Sequence, residues 1–199
     1  MTKTLDFIFD FASPNAYLAY RALPPILERT GATLNIMPCL LGGIFKTTGN
    51  QAPMTAFAHV KGKLDYEAIE LRRFVEKHRL AKYRMNPHFP VISLLAMRGL
   101  VAAQMAGPAE SYIEAVLAAF WEDGLKMDDP AVAAAALAKA GLDPALLTRA
   151  QDADVKHKLT ANTQAAVDRG VFGVPTFFVG EEMFFGKERL GQVEEELAK

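Results

Sequence analysis

The sequence contains a single cysteine, Cys39, among its 199 residues. One thiol forms no intramolecular disulfide, so this chain carries neither a disulfide framework nor a two-sulfur redox pair. No second thiol and no arrangement of charged residues accompanies Cys39. We therefore predict that its side chain packs as a small apolar group and does not act as a nucleophile.

An excess of charge and a metal-ligand motif are also missing. Lys and Arg number 22 against 23 for Asp and Glu, which gives a net charge of -1 and no basic surface for nucleic acid. The four histidines lack metal-ligand spacing, so no metal site is predicted. Asp6 and Asp10 interrupt the first apolar run. We therefore expect neither a signal peptide nor a membrane span.

Hydrophobic residues make up 51% of the chain, and strand signals at its two ends flank a helical middle. Residues 5–11 and 32–38 are typical of strands, residues 55–165 carry helical periodicity, and the last forty residues predict two strands and a closing helix. The order is therefore βαβ, then helices, then ββα. At this length we expect one domain, or one domain with a sizeable insertion.

Prolines, glycines and apolar spacing predict several helix limits. Pro24-Pro25 should break or restart the first helix, and Gly31 should end it. Leu64, Ala68, Leu71 and Val75 recur at helical spacing and predict one apolar face. The segment 130–140 is rich in alanine and should form a helix that stops at Gly141.

The turn around Ser13 is the first candidate for chemistry. Ser13 follows the strand 5–11, suits a helix N-cap, and precedes Pro14, which suits the first helical position. Helix amides and the positive end of the helix dipole favour an anion there. No histidine lies nearby in sequence, so a Ser-His-acid hydrolase is not supported, but the hydroxyl can donate to an anion. The alternative is that Ser13 only caps the helix, which contributes about 1 kcal/mol.

The second candidate is the segment 171–186, which reads as loop, strand, tight turn and strand. Pro175 stands at the start of a strand, where no ladder donor is needed, and the Val174-Pro175 bond is a candidate for the cis form. The alternative is that Val174 and Pro175 simply begin a buried strand.

These two motifs resemble the 2-hydroxychromene-2-carboxylate isomerases, the glutathione-dependent relatives of kappa-class glutathione transferases in the DsbA-like thioredoxin superfamily. Gly49-Asn50, the segments 63–66 and 85–90, and Gly186 through Arg189 extend the resemblance over nearly the whole chain. It implies an α/β, thioredoxin-like fold with a helical domain inserted in the middle. Residues 1–54 and 165–199 would form the thioredoxin-like domain, and residues 55–164 the insertion.

The resemblance implies glutathione as cofactor, with its sulfur beside Ser13 as the catalytic residue. The main chain of Val174, next to Pro175, would pair with the cysteinyl part. Lys63 would lie near the glycyl carboxylate. The γ-glutamyl end would lie near Phe185, Gly186, Lys187 and Glu188, although Glu188 stands where the family more often has Asp. The alternative for these charged residues is a solvated lysine and an ordinary acidic first helical turn.

For the second substrate, the resemblance implies an aromatic oxo-acid in a pocket beside Lys46, Gly49, Asn50 and Asn86. The expected reaction interconverts 2-hydroxychromene-2-carboxylate and trans-o-hydroxybenzylidenepyruvate. A kappa-like transferase or peroxidase and a non-catalytic peptide-binding protein remain alternatives. The resemblance also implies a homodimer in the cytoplasm, where glutathione is available.

Overall fold

The computed structural model describes residues 2–199, in which one four-stranded sheet is built from the two ends of the chain. The strands are β1 (Thr4–Phe9), β2 (Thr33–Pro38), β3 (Thr176–Val179) and β4 (Glu182–Phe185). Their order is β2-β1-β3-β4. β1 runs parallel to β2 and antiparallel to β3, which pairs antiparallel with β4. This is the mixed sheet of a thioredoxin-like fold, as predicted.

Eleven helices complete the described part of the chain. They are α1 (Pro14–Ala22), α2 (Pro24–Thr30), α3 (Leu41–Thr48), α4 (Pro53–Ala56), α5 (Lys63–Lys77), α6 (Leu94–Ala106), α7 (Glu110–Trp121), α8 (Pro130–Lys139), α9 (Ala145–Arg149), α10 (Ala153–Asp168) and α11 (Leu190–Leu197). A single 3₁₀ turn, Lys187–Arg189, precedes α11. The predicted boundary at 164/165 falls within α10, and the division into two domains stays a prediction.

Pro24, Gly31 and Gly141 limit the helices as the sequence predicts. Pro24 begins α2, and Gly31, with a φ of 66°, ends it in the left-handed conformation that favours glycine. Asp129 caps α8 by accepting a hydrogen bond from the N–H of Ala131. Gly141 follows α8 with a φ of 73°.

Aromatic packing connects the sheet to the helices around the Ser13 turn. The ring of Phe7 lies 4.7 Å from that of Phe177, and Phe9 and Phe11 continue the buried row with edge-to-face contacts. Each buried phenylalanine contributes about 1.5–3 kcal/mol relative to an exposed one. The Nε1 of Trp121, at the end of α7, donates to the carbonyl of Phe11 at 2.8 Å. That bond fixes α7 against the segment that leads to Ser13.

Helix α5 lies at the surface, and none of its residues is buried. Leu71 and Val75 of its predicted apolar face are partly buried against the core. Tyr66 and Ile69, by contrast, are 53% and 36% exposed. No helix among residues 2–199 is both long enough and apolar enough to cross a bilayer.

Candidate active site

Ser13 stands between strand β1 and helix α1 with its side chain 4% exposed. Its Oγ accepts a hydrogen bond from the N–H of Ala16 at 3.1 Å and donates to the carbonyl of Val174 at 3.2 Å. The N-cap prediction is confirmed. The hydroxyl also contacts the second motif directly, which capping alone does not require.

Val174 precedes a cis peptide bond to Pro175, as predicted. Within residues 2–199, the N–H of Val174 donates to no acceptor, and its carbonyl accepts only from Ser13. The carbonyl of Pro175 accepts from the N–H of Gly186 at 2.9 Å, which attaches the β4 turn to this loop. Buried backbone N–H groups are rarely left unpaired. The N–H of Val174 is therefore available to donate to a ligand beside the Ser13 hydroxyl.

The loop before Val174 contacts both α3 and β4. The Nδ2 of Asn50, just after α3, donates to the carbonyl of Phe172 at 2.7 Å. The ring of Phe172 lies 4.6 Å from that of Phe185. A Cβ at Gly173 would lie 2.8 Å from Cε2 of Phe185, so a larger residue at position 173 would displace this ring. Asn50 and Phe185 therefore both contact the loop that ends at Val174, the residue that accepts the Ser13 hydrogen bond.

Asp10 is a buried carboxylate, 1% exposed, at the end of β1. Its Oδ1 accepts from the N–H of Ala12 at 2.9 Å, and its Oδ2 from the N–H of Leu41 at 2.8 Å. Burial raises the pKa of this carboxyl, while hydrogen bonds from Leu41, Ser93 and Ala12 act to lower it. Two of the three partners are backbone amides that only donate, so the ionised form fits these contacts.

The charged residues predicted for the ends of glutathione make other contacts. Lys63 Nζ lies 3.1 Å from Glu67 Oε1 and 5.3 Å from the ring of Phe57. Lys187 has only 5% of its side chain exposed, and its Nζ pairs with Oε1 of Glu188. The side chain of Glu188 is 53% exposed.

The residues predicted for the substrate pocket differ in accessibility. Lys46 is exposed in the last turn of α3, and Gly49 ends that helix with a φ of 71°. Asn86 is 2% exposed: its Nδ2 donates to the carbonyls of Phe120 and Leu125, at 2.8 and 2.9 Å. Its Oδ1 accepts from the N–H of His88 at 2.8 Å. The amide of Asn86 thus has no free donor and organises the loop 86–90. Its contact with a substrate stays a prediction.

Two open cavities lie elsewhere on the described surface. One, of about 570 Å³, lies between β2 and the helices α6 and α7. The other, of about 460 Å³, lies between α2, α5 and α11 and is lined by Lys187 and Glu188. Neither cavity is lined by Ser13, Asn50 or Asn86.

Cys39 is fully buried, and burial together with the charge of Asp10 raises the pKa of its thiol to about 12. Its Sγ donates to the carbonyl of Asn162 at 3.5 Å. The prediction that Cys39 packs in the interior is confirmed. Among residues 2–199, no cluster of three His, Cys, Asp or Glu side chains has the arrangement of a metal site.

Asp10, Ser93 and Phe172 are site neighbours that sequence reasoning missed. Asp10 carried a signal, because a charged residue directly ends a run of buried aromatic and aliphatic positions. Ser93 and Phe172 gave no local signal, since their contacts come from distant segments of the chain.

Comparison with known proteins agrees with this architecture. A family model described as the DSBA-like thioredoxin domain matches residues 4–198. A 2-hydroxychromene-2-carboxylate isomerase of Pseudomonas sp. (strain C18) is 31% identical over 96% of this chain and 88% of its own length. Glutathione S-transferase kappa 1 of Rattus norvegicus is 29% identical over 94% of this chain and 88% of its own length.

A solved structure of a 2-hydroxychromene-2-carboxylate isomerase matches with a TM-score of 0.80 and 29% identity, covering 96% of this chain and 93% of that one. Fold and site together define the class of DSBA-like thioredoxin domains. Within that class, the chain belongs to the family of 2-hydroxychromene-2-carboxylate isomerases.

Proposed function

We propose that this protein is a glutathione-dependent isomerase that interconverts 2-hydroxychromene-2-carboxylate and trans-o-hydroxybenzylidenepyruvate in the breakdown of aromatic hydrocarbons. Family membership supports the reaction. The Ser13 hydroxyl at the cis Val174-Pro175 junction is the observation that carries the proposal.

The main chain of Val174 fits the cysteinyl part of a bound tripeptide. Its N–H has no acceptor among residues 2–199, and its carbonyl retains one lone pair beside the contact with Ser13. An extended peptide pairs with such groups as a short added strand. Glutathione would place its sulfur next to the Ser13 hydroxyl in this arrangement.

Ser13 would stabilise the cofactor as a thiolate. Its hydroxyl carries one proton, which is donated to the carbonyl of Val174. Because the peptide N–H of the cofactor would bond this carbonyl, the hydroxyl could turn toward the sulfur without leaving the carbonyl unpaired. The first amides of α1 and the positive end of its dipole favour the same negative charge. Ser13 itself needs no general base in this role.

Once the hemiketal ring of the chromene has opened to the phenol and the ketone, bound glutathione would supply a thiolate that adds reversibly to the conjugated chain, so that the double bond becomes single, rotates and re-forms when the thiolate leaves. The protein would hold the substrate during this rotation. Lys46 and Asn50, at the end of α3, are polar groups suited to a carboxylate, and Gly49 leaves room between them. Asn50 already contacts the loop before Val174, which brings this end of α3 to the cofactor side.

We place the ends of glutathione at Lys63 for the glycyl carboxylate and at the turn from Phe185 to Glu188 for the γ-glutamyl group. Lys187 occupies Oε1 of Glu188, so an ammonium group would meet Oε2 of this carboxylate. The α-carboxylate would meet Lys187 and the amides of the 3₁₀ turn. Lys187 and Glu188 carry opposite charges, so together they suit the zwitterionic γ-glutamyl end better than either charge alone.

Turnover of the two oxo-acids with and without glutathione tests the proposed function. We expect approach to the same equilibrium from either substrate, a strict requirement for glutathione, and no loss of free thiol. Turnover at the same rate without glutathione would contradict the proposal.

A kappa-like transferase or peroxidase is the second candidate, supported by the match to the rat kappa-class enzyme. In that case the glutathione would appear in a conjugate or as its disulfide. Mass spectrometry of the reaction mixture separates the two functions, because an isomerase returns the cofactor unchanged.

We further propose a homodimer in the cytoplasm, with residues 55–164 as a helical insertion between the two parts of the thioredoxin-like domain. Exposed apolar side chains on α4, α5 and the segment between them support a surface for a second copy. They are Met54, Phe57, Val60, Tyr66 and Ile69. The requirement for glutathione and the single cysteine support the cytoplasm.

A further inference from the structure

The turn that leads into α1 and the start of α3 meet at the carboxylate of Asp10. Leu41, the first residue of α3, donates its N–H to Oδ2, and Ala12, in the turn that leads into α1, donates its N–H to Oδ1. The hydroxyl of Ser93, the N-cap residue of α6, also acts to lower the pKa of this carboxyl, and it makes no capping bond to its own helix. One buried side chain therefore holds the turn before α1 against the start of α3.

Asp10 replaces a cap that α3 lacks. The N-cap residue of α3 is Leu40, whose side chain forms no capping bond, and Asp10 caps the helix from 31 residues away. Its hydrogen-bond partners among residues 2–199 include no lysine, arginine or histidine, and the titratable group beside it is the thiol of Cys39. The backbone N–H groups of Ala12 and Leu41, at the starts of α1 and α3, supply the compensating positive potential.

The position of Ser13 depends on the same residue. The carbonyl of Asp10 accepts the N–H of Ser13 at 3.1 Å, so its main chain and side chain hold the turn from both sides. Helix α3 leads from Asp10 to Asn50, which bonds the carbonyl of Phe172 in the loop that ends at Val174. The carbonyl of Val174 accepts the hydrogen bond from the Ser13 hydroxyl, so this series of contacts leads from Asp10 back to the Ser13 turn.

We propose that Asp10 is a positioning residue for the reaction: by holding the starts of α1 and α3 together, its carboxylate sets the Ser13 hydroxyl against Val174 and the end of α3. This inference rests on the proposed glutathione site. A shift of about 1 Å in a catalytic group costs roughly a hundredfold in rate, so a displaced Ser13 should reduce turnover more than binding.

Asp10→Asn tests the role with little change in shape. One acceptor oxygen replaces two, so the N–H of Ala12 or of Leu41 loses its partner. We expect kcat to fall about tenfold to a hundredfold while the KM for the oxo-acid changes less than about threefold. The pKa of the bound glutathione thiol should also differ from that in the wild type.

Thr163→Val is the matched control, because Thr163 Oγ1 accepts the N–H of Leu40, directly before the α3 contact of Asp10, at 3.0 Å. It removes a buried acceptor from the same loop without touching the Ser13 turn. Its kcat and its thiol titration should match those of the wild type. Equal losses in both variants would reduce Asp10 to a general stabiliser and contradict the proposal.

Two further measurements apply if Asp10→Asn does not fold. Ser93→Ala keeps the carboxylate but removes one partner, and we expect a twofold to tenfold loss of kcat. In the ligand-free wild type, the amide proton shifts of Ala12 and Leu41 should titrate together, with a midpoint above the ordinary aspartate value of 3.8. Unchanged turnover in Ser93→Ala or independent titrations of the two amides would overturn the inference.

Different results would contradict the proposed function and the proposed role of Asp10. If the wild type binds no glutathione, the proposed function is contradicted, while the amide titration still reports on the Asp10 contacts. If the wild type binds glutathione and turns over, but Asp10→Asn has wild-type turnover and thiol titration, only the role of Asp10 is contradicted.

Discussion

The hydroxyl oxygen of Ser13 lies 3.2 Å from the carbonyl oxygen of Val174, a residue 161 positions further along the chain. The contact joins the first turn of α1 to the cis-proline loop, two segments that local sequence cannot show to be neighbours. In this contact the Ser13 hydroxyl donates its single proton to the carbonyl of Val174, a group that the N–H of a bound peptide could bond instead. The proposed function depends on this exchange of partners.

Asn50 should control the shape of the substrate side of this loop. Asn50→Ala removes the 2.7 Å bond to the carbonyl of Phe172, so we expect the KM for the oxo-acid to rise about twofold to tenfold. Thr47→Ala, at an exposed position in the last turn of α3, is the control and should leave KM unchanged. Steady-state kinetics with saturating glutathione measure both variants, and equal KM values for Asn50→Ala and wild type would contradict this role.

Asn86 should contribute mainly to stability. Asn86→Ala leaves the carbonyls of Phe120 and Leu125 and the N–H of His88 without their partner. We expect the free energy of unfolding to fall by about 2–4 kcal/mol in denaturant titration. Asn35→Ala, which breaks one exposed side-chain bond, should cost less than about 1 kcal/mol. A loss for Asn86→Ala as small as that of the control would show that these bonds do not stabilise the loop.

Cys39 should be unreactive in the folded protein. With its thiol pKa raised to about 12 by burial, only about one molecule in 10⁴ carries the thiolate at pH 8. A thiol reagent such as 5,5′-dithiobis(2-nitrobenzoic acid) should label Cys39 only after denaturant is added. Rapid labelling of the native protein would contradict the buried position.

The same pKa shift predicts a dependence of stability on pH. The unfolded thiol, with its ordinary value of 9.0, loses its proton before the folded one, so deprotonation favours the unfolded chain. Stability should therefore be unaffected by this group below pH 9 and fall by up to about 1.4 kcal/mol per pH unit between pH 9 and about 12. Cys39→Ala should lack this part of the slope, and identical slopes in the two proteins would contradict the assignment.

The surface of α5 should mediate dimer formation. Tyr66, which is 53% exposed, lies in the apolar patch that we assign to a second copy. Tyr66→Glu should convert a dimer to a monomer in sedimentation velocity, because association would bury a new charge. Met105→Glu changes an apolar side chain that is 48% exposed at the end of α6 and should leave the dimer intact. A monomeric wild type would contradict the proposal.

The sequence predicts most of the fold because the relevant signals are local. Pro14, Pro24 and Gly31 fix helix limits through backbone geometry alone, and a proline at a strand start predicts the cis candidate at position 175. The resemblance implied that Ser13 and Val174 both lie beside glutathione, but no pattern in either segment predicts the direct hydrogen bond between them.

The rest of the site depends on packing between distant segments. Asp10 looks like a polar interruption of a strand until Leu41 and Ser93 are brought against it. Lysine side chains are usually exposed, so nothing in the sequence predicts that Lys187 is 5% exposed and lies beside Phe74 of α5. Such contacts arise only when the helices are assembled on the sheet.

Titration of the bound glutathione thiol in the wild type and in Ser13→Ala tests the central claim most directly, with ultraviolet thiolate absorbance as the signal. Ser111→Ala, at an exposed position on α7, is the control. We expect a thiol pKa about 1 to 2 units lower in the wild type and the control than in Ser13→Ala, equivalent to about 1.4 to 2.7 kcal/mol, with similar glutathione affinity. Isomerase turnover should fall about tenfold to a thousandfold in Ser13→Ala. Identical titrations and rates in wild type and Ser13→Ala would contradict the account and leave Ser13 as a helix cap.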